Sequence, residues 1–185
     1  MDNTAVVLVS DSKYLSKALV TIKDCRTIGN WSGDLILITV DIELDDKNKK
    51  RFNITQAKFP IIDKTNLLEQ IGPSGFRNSD KREINKLNQW EKLHVFDYYF
   101  QKWERIIFLD AGLRVLDDIK YLLELDYKKK ILAPVDGKQL ISEPHTIFHH
   151  QLDHDNPDKI SMVKIDFGED IFQQRHMLNC MWIYD

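Results

Sequence analysis

Cysteine is scarce in this sequence of 185 residues, which contains only Cys25 and Cys180, far apart along the chain. Two thiols cannot build a disulfide framework, and no Cys-x-x-Cys pair is present for zinc or redox chemistry. No apolar run approaches the roughly 20 residues that cross a bilayer. The apolar start also lacks the basic residues that open a signal peptide. The sequence therefore predicts a soluble, cytoplasmic domain in a reducing compartment, with no transmembrane segment.

Glycine is also rare, with 7 residues, and the motifs that depend on it are absent. No Gly-x-Gly-x-x-Gly follows the first predicted strand, which argues against a Rossmann dinucleotide site, and no Gly-x-x-x-x-Gly-Lys forms a P-loop. The Gly-x-Ser-x-Gly elbow of many hydrolases is missing as well. Neither sign of charge is in large excess, since the sequence contains 26 Lys and Arg and 29 Asp and Glu. This balance gives no global attraction to nucleic acid or to an anionic membrane.

The length and composition fit a folded globular chain. At roughly 150 residues per domain, the chain is expected to form one domain over residues 1–185. The sequence is 43% hydrophobic and 30% charged, ordinary values that exclude disorder as the main state. Because the chain stops at Asp185 directly after an apolar run, a fragment of a longer protein is the alternative.

The first forty residues have the pattern of a strand, a helix and a second strand. Residues 5–9 and 35–40 are continuous apolar runs, which are typical of strands buried on both faces of a parallel sheet. Between them, apolar residues recur at spacings of three and four, as on one face of a helix. These residues are Leu15, Ala18, Leu19, Ile22 and Cys25. The pattern predicts a right-handed βαβ unit.

The remaining sequence continues the alternation of strands and helices. We expect helices over 41–52, from Asp80 to about Trp103 and near 119–123, an extended segment at 113–116, and strands at 59–62, 106–109, 131–133 and 181–184. Residues 142–159, with four histidines and two prolines, predict a loop. The whole pattern predicts the α/β class, a single-domain αβα sandwich around a mostly parallel sheet.

Polar residues follow three of the predicted strands. Ser10 and Asp11 follow the first, Asp41 the second, and Asp110 follows four large apolar residues of the central strand. In open α/β sheets ligands bind at the carboxyl ends of strands, near a topological switch point. Asp110 is therefore a candidate ligand contact, although a turn or helix cap also explains a strand-ending aspartate. For Asp11, helix capping is a sufficient explanation.

Several segments together resemble a known family. They are 7–14 (Val-Leu-Val-Ser-Asp-Ser-Lys-Tyr), 91–96 (Glu-Lys-Leu-His-Val-Phe), 105–112 (Arg-Ile-Ile-Phe-Leu-Asp-Ala-Gly) with its continuations at 115–119 and 121–125, 132–134, and 177–184. In this order they resemble the nucleotide-sugar-binding part of GT-A glycosyltransferases, most closely the glycogenin-like and family 8 galactosyltransferases. The resemblance spans nearly the whole chain and implies the GT-A fold.

The resemblance also implies an activity and a set of site residues. It implies glycosyl transfer from a nucleotide-diphosphate sugar, a UDP-sugar, to a glycan or another hydroxyl acceptor, with Mn²⁺ or Mg²⁺ bridging the diphosphate. Asp110 would be the catalytic residue and would contact the metal or the ribose, and Lys92 would reach the phosphates or donor sugar. The implied donor-binding set also includes Ser10, Asp11, Tyr14, Ala111 and Gly112, and Asn179 would line the acceptor side.

The sequence departs from the family pattern at the metal motif. Gly112 stands where the family has the second Asp of Asp-x-Asp, and Asp117 lies seven residues beyond Asp110. The family's histidine lies downstream of the region that this sequence covers, so either a local histidine substitutes for it or the sequence is short, and Met181 replaces a glycine in the last segment. These departures favour the alternative of a non-catalytic nucleotide- or sugar-binding module. A nucleotidyltransferase is a third candidate, but the glycine-rich basic loop that usually opens one is not found at 10–17.

Two further clusters are interpreted as solvated surface. His145, His149, His150 and His154 lie between Pro144 and Pro157 in a polar loop without a His-Glu-x-x-His motif, although one of them could meet a phosphate if the loop closes. Arg77, Lys81 and Arg82 fit the exposed start of a helix, with a grip on a diphosphate or an acidic acceptor as the alternative.

Overall fold

The computed structural model describes residues 3–63, 65, 90–135, 157–170 and 177–185. These residues fall into two compact units. The first contains the described residues of 3–63, 90–132 and 179–185, and the second contains 65, 133–135, 157–170 and 177–178. The assignment of residues 1–185 to one domain stays a prediction. The four histidines and the Arg77–Arg82 cluster lie outside the described residues.

Five strands among the described residues form one sheet in the first unit. They are β1 (Thr4–Ser10), β2 (Asp34–Thr39), β3 (Thr55–Ala57), β4 (Arg105–Leu109) and β5 (Met181–Tyr184), in the order β3-β2-β1-β4-β5. β1 pairs in parallel with both β2 and β4, and β2 pairs in parallel with β3. β5 runs antiparallel to β4. The mostly parallel sheet predicted from the sequence is therefore confirmed.

Both faces of the sheet are buried, because successive side chains of a strand point to opposite faces. Val6 and Leu8 of β1 belong to the core on the side of helix α1 (Leu15–Thr27). Val7 of β1 and Phe108 of β4 belong to a second core on the other side, which contains Phe100 and Trp103. All of these strand residues are 0% exposed. The continuous apolar runs of the sequence thus reflect burial on two sides, as predicted.

The predicted apolar stripe of α1 packs on the sheet, with Ala18, Ile22 and Cys25 fully buried. The charged helix α2 is shorter than predicted and spans Asp46–Phe52. It begins late because the Asp45 carboxylate accepts a hydrogen bond from the Asn48 N–H and caps the helix there. Helix α3 (Lys120–Leu123) confirms the short helix expected near 119–123.

The prediction of one long helix up to about Trp103 is wrong for residues 92–103. Trp90 and Glu91 are helical, but a 3₁₀ helix follows at Lys92–Phe96 and a second one at Tyr98–Lys102. Asp97 between them has an extended backbone, with ψ 153°, and its carboxylate accepts from the Tyr99 N–H. This cap starts a new helix, and the break lets Val95, Phe100 and Trp103 all pack on the sheet.

Three other expectations are corrected. The third strand is Thr55–Ala57 rather than 59–62, because Phe59 packs among the rings of His94, Tyr99 and Phe100. In the strand predicted over 131–133, only Leu132 is bridged, to Ile183. In the second unit, helix α4 (Pro157–Phe167) begins inside the loop predicted over 142–159, and proline suits the first turn of a helix.

Among the described residues, none of the helices combines the length and the apolar character that crossing a membrane demands.

Candidate functional site

The order of the strands places a switch point between β1 and β4. From this pair the chain proceeds outward in both directions, to β2 and β3 on one side and to β5 on the other. Because β1 and β4 are parallel, the residues that follow them, Asp11 and Asp110, lie at the same edge of the sheet. The loops that diverge there leave a crevice in folds of this kind. We call this edge, with Ser10–Tyr14 and Asp110–Gly112, the carboxyl edge.

An ion pair between Lys92 and Asp110 lies at the carboxyl edge. The Lys92 Nζ is 2.9 Å from Asp110 Oδ1, and the two side chains are 12% and 36% exposed. The same ammonium donates to the Asn179 carbonyl oxygen at 3.3 Å and lies 5.9 Å from the centre of the Phe108 ring. An ammonium that is this buried loses hydration, so the carboxylate and the carbonyl must compensate. Lys92 is thus held with its charge at the strand end.

A tight turn carries the chain past Asp110. The Leu113 N–H donates to the Asp110 carbonyl, and Gly112 has φ +100°. The Gly112 N–H donates to Thr21 Oγ1 at 3.0 Å, and the Thr21 hydroxyl donates to the Leu113 carbonyl at 2.8 Å. Thr21, which is fully buried on α1, therefore fixes the turn. Ala111 is half-buried and packs against the core on the α1 side.

The loop after β1 is ordered by its own hydrogen bonds. The buried Ser10 hydroxyl donates to the Asp11 carbonyl, and the Tyr14 N–H donates to the Asp11 carboxylate at 2.9 Å. Asp11 thus stabilises the turn that precedes α1, but the helix cap predicted at Asp11 is not formed, because Tyr14 is the N-cap and has no side-chain capping hydrogen bond. The Tyr14 ring is half-buried, with the Lys17 Nζ 5.0 Å from its centre. The roles of Ser10, Asp11 and Tyr14 in binding a donor stay predictions.

Asp41 joins the loops after β1 and β2. Its carboxylate accepts from the Ser12 N–H at 2.7 Å and from the Ser12 hydroxyl at 2.8 Å. The hydrogen bond from the Ser12 hydroxyl holds the pKa of Asp41 below its usual value. The exposed loop segment at Ser12 is thereby tied to the adjacent strand end.

The segment before β5 closes the other side of the edge. The Asp110 N–H donates to the Cys180 carbonyl at 2.8 Å, and the exposed Asn179 supplies the carbonyl that binds Lys92. Burial, and secondarily the negative charge of Asp110, raise the pKa of the Cys180 thiol. The structure therefore brings together Asp110, Lys92 and Asn179, three of the residues that the sequence selects, although the acceptor role of Asn179 stays a prediction.

The sequence does not identify Lys17 and Thr21 as residues of this site. Both lie on α1 one turn apart, and the Lys17 Cδ would be 3.6 Å from a Cβ at Gly112, so the lysine stem borders the turn. The available signal is weak. Thr21 is a polar residue next to the apolar stripe of the helix, and Lys17 lies one turn before it.

A second cleft lies at the opposite edge of the sheet. It has a volume of about 650 Å³ and is lined by aromatic side chains and by charged residues of the loop before Leu132. Among its lining residues are Phe96, Trp103, Lys129, Lys130 and Tyr184. Tyr184 pairs with Ile106 near the start of β4, which places this cleft at the amino ends of the parallel strands. We favour the carboxyl edge as the site, because the ligands of such folds bind there.

The strand order, the switch point and the charged carboxyl edge define an α/β protein of the GT-A kind. A family model, glycosyl transferase family 8, matches residues 5–163. The chain therefore belongs to glycosyltransferase family 8, and the resemblance found in the sequence is confirmed. None of the curated proteins gives a significant match to this chain.

Solved structures show the same fold. The galactosyltransferase LgtC, in complex with donor and acceptor sugar analogs, aligns with 97% of this chain at 12% identity and a TM-score of 0.58. The bifunctional glycosyltransferase WbbM aligns with 99% of this chain at 12% identity and a TM-score of 0.57. The mannosyltransferase Ktr4p from S. cerevisiae, in complex with GDP, aligns with 100% of this chain at 10% identity and a TM-score of 0.52. This chain covers 57%, 31% and 57% of those proteins, so it spans little more than half of their length or less.

The expected divalent cation does not fit the residues at Asp110. Glycosyltransferases of family 8 typically use such a cation, and Mn²⁺ or Mg²⁺ takes several oxygen ligands. Here one carboxylate oxygen is bound by an ammonium, and Gly112 supplies no side-chain ligand. Within the part of the chain that the structure describes, no three His, Cys, Asp or Glu side chains converge as a ligand set. The described residues therefore do not form the two-carboxylate clamp of the family.

Proposed function

We propose that the chain transfers a glycosyl group from a nucleoside-diphosphate sugar, a UDP-sugar, to the hydroxyl group of a carbohydrate or another acceptor. The carboxyl edge would bind the donor, with the nucleoside toward the loop after β1 and the diphosphate toward Lys92. Family membership supports the reaction class. The complexes of LgtC with sugar analogs and of Ktr4p with GDP support the kind of donor. The cytoplasmic location stays a prediction from the sequence.

The observation that carries this proposal is the Lys92–Asp110 ion pair at the switch point. In the transfer, the bond from the sugar C1 to the diphosphate oxygen breaks, and its electron pair leaves with the diphosphate. A bond forms between C1 and the acceptor oxygen, which loses its proton. Negative charge therefore grows on the diphosphate, and a fixed ammonium stabilises it more in the transition state than in the ground state. Asp110 holds that ammonium in place.

The variant Asp110→Asn tests this assignment. We expect transfer from the preferred UDP-sugar to fall by about 100-fold or more, because the ammonium loses the partner that orients it. The measurement is product formation over a panel of UDP- and GDP-sugars, with circular dichroism to show that the variant is folded. Asp126→Asn is the matched control, because it removes the carboxylate of an exposed ion pair with Lys130. Unchanged turnover in Asp110→Asn would refute the assignment.

A non-catalytic nucleotide-sugar-binding module is the second candidate, and Gly112 favours it because a carboxylate of the family motif is missing. The same panel separates the two. A donor that raises the melting temperature by mass action but is neither transferred nor hydrolysed would favour the binding module.

A further inference from the structure

The turn that follows β4 is built for glycine. At φ +100°, Gly112 has a backbone conformation that residues with a Cβ adopt only with strain. Space is not the constraint, since a Cβ there would meet nothing closer than the Lys17 Cδ at 3.6 Å. Thr21 fixes the conformation through its bonds to the Gly112 N–H and the Leu113 carbonyl. The backbone conformation at position 112 therefore favours the glycine that stands in place of the family's second carboxylate.

Positive side chains border the turn where the family motif would place a second carboxylate. The Lys92 Nζ is bound to Asp110 Oδ1, so a divalent cation on that oxygen would lie beside an ammonium and be repelled. The stem of Lys17 passes along Gly112 from the other side, and its ammonium lies over the Tyr14 ring. Two lysines thus flank a single carboxylate at this turn.

The other acids of the edge are already engaged. The Asp11 carboxylate accepts from the Tyr14 N–H, and Asp41 accepts twice from Ser12. Each has at least one oxygen fixed by the protein. Among the described residues of this edge, the lysines are therefore the groups whose charge can attract an anion. An ammonium binds phosphate as a point charge.

We propose that this edge binds the donor diphosphate through the ammonium groups of Lys92 and Lys17, without a divalent cation held by Asp110. This inference rests on the proposed function, because it assumes that the diphosphate of the donor lies at the carboxyl edge. In this arrangement Asp110 positions Lys92, and Thr21 with Gly112 keeps the turn open for the phosphates. The chain then differs from its family in the source of the charge, not in the place where the donor binds.

Calorimetric titration of the full chain with UDP, in EDTA and separately in Mn²⁺, tests the proposal. We expect the affinities in the two conditions to agree within about threefold, because the described residues form no ligand set that would recruit the cation. Inorganic pyrophosphate serves as a second probe and should compete with UDP in EDTA. An affinity that Mn²⁺ raises by about tenfold or more would overturn the proposal while leaving the proposed function standing. No UDP binding in either condition would overturn both.

Variants of the lysines complete the test. In EDTA, Lys92→Met is expected to weaken UDP binding by about 10- to 100-fold, and Lys17→Met by less, since its stem is more exposed. Lys92→Arg should restore part of the loss, because it keeps the charge. Lys23→Met, which removes an exposed lysine further along the same helix, is the matched control. If Lys92→Met and Lys17→Met, shown to be folded by circular dichroism, both bind UDP as the unaltered chain does, the proposal is wrong.

Discussion

Lys92 has the most unusual environment among the residues of the site. Lysine is rarely so fully buried unless it is paired, and its side chain is only 12% exposed. Replacing a buried pair by apolar residues is often neutral or stabilising. The pair is therefore better explained by a task at the strand end than by stability.

The residue that the sequence identifies most directly is Asp110. It follows a run of large apolar residues, and a strand end in an α/β sheet is where ligands bind. Lys92 is found only through the family resemblance, since neither its spacing nor its neighbours predict a partner 18 positions away. Thr21 and Lys17 require the structure, because their roles depend on how α1 packs against the turn after β4.

The pKa of the Cys180 thiol depends on the charged residues of the site. Burial and the Asp110 carboxylate raise its pKa, and Lys92 lowers it. A lower pKa gives more thiolate at a fixed pH, so Asp110→Asn should speed alkylation of Cys180 near pH 8 by about two- to fivefold. Lys92→Met should slow it. Alkylation by iodoacetamide, followed by peptide mass spectrometry, measures both rates.

Cys25 provides the internal control for that measurement. It is fully buried, and burial raises the pKa of its thiol to about 12, so it should react slowly in every variant. Faster alkylation of Cys180 in Lys92→Met together with slower alkylation in Asp110→Asn would contradict the described charges.

At the scale of elements, capping side chains decide where helices begin. Asp45 starts α2 and Asp97 starts the second 3₁₀ helix. The apolar spacing of residues 80–103 suggests one continuous helix, but spacing alone does not show that residues 92–102 form two short 3₁₀ helices with Val95 and Phe100 packed on the sheet. The first of these turns carries Lys92 to the site. Tertiary packing has here overridden the periodicity.

Glu91 and His94 fasten this first 3₁₀ helix. The Glu91 carboxylate is almost fully buried, and it pairs with the His94 ring at 2.8 Å while accepting from the Ile62 N–H. His94 in turn stacks on Phe59 with 4.8 Å between ring centres. The segment next to Lys92 is therefore anchored on both sides, which limits the movement of the ammonium.

The link between Asp41 and Ser12 makes the stability of these loops depend on pH. Because the folded pKa of Asp41 is lowered, its contribution is present above the unfolded pKa, about 3.9, and is lost as pH falls through the folded value. Asp41→Asn should therefore be slightly less stable than the unaltered chain at pH 7. The difference should begin to fall near pH 4 and should disappear only below the lowered folded pKa.

Denaturant unfolding at a series of pH values measures this difference. Ser12→Ala removes the hydroxyl that is the main cause of the lowered pKa, so it should show part of the same loss with the same dependence on pH. A stability difference for Asp41→Asn that stays constant from pH 7 down to pH 3 would argue against the link.

At the scale of the whole molecule, the sequence predicts the fold class but not the strand order. The βαβ start and the apolar strands indicate a mostly parallel sheet, and the structure agrees. The position of β4 beside β1 depends on contacts between residues about 100 positions apart, and the reversal of β5 on contacts between residues more than 70 positions apart. These contacts create the switch point, so the sequence pattern can select Asp110 as a strand-end candidate, but Lys92 and Asn179 are selected only through the resemblance to a family.

The two edges of the sheet offer different surroundings to a ligand. The carboxyl edge is charged, with Lys92, Lys17 and Asp110 around the turn. The cleft at the amino edge has a volume of about 650 Å³ and is lined by aromatic and charged side chains. A bound nucleotide therefore distinguishes the two edges directly.

A crystal structure of the chain with bound UDP is the most direct test of the claim that the carboxyl edge binds the donor. The account predicts the diphosphate at the ends of β1 and β4, with a phosphate oxygen about 3 Å from the Lys92 Nζ. A nucleotide bound instead in the aromatic cleft beside Trp103 and Tyr184, with the Lys92–Asp110 pair untouched, would contradict it.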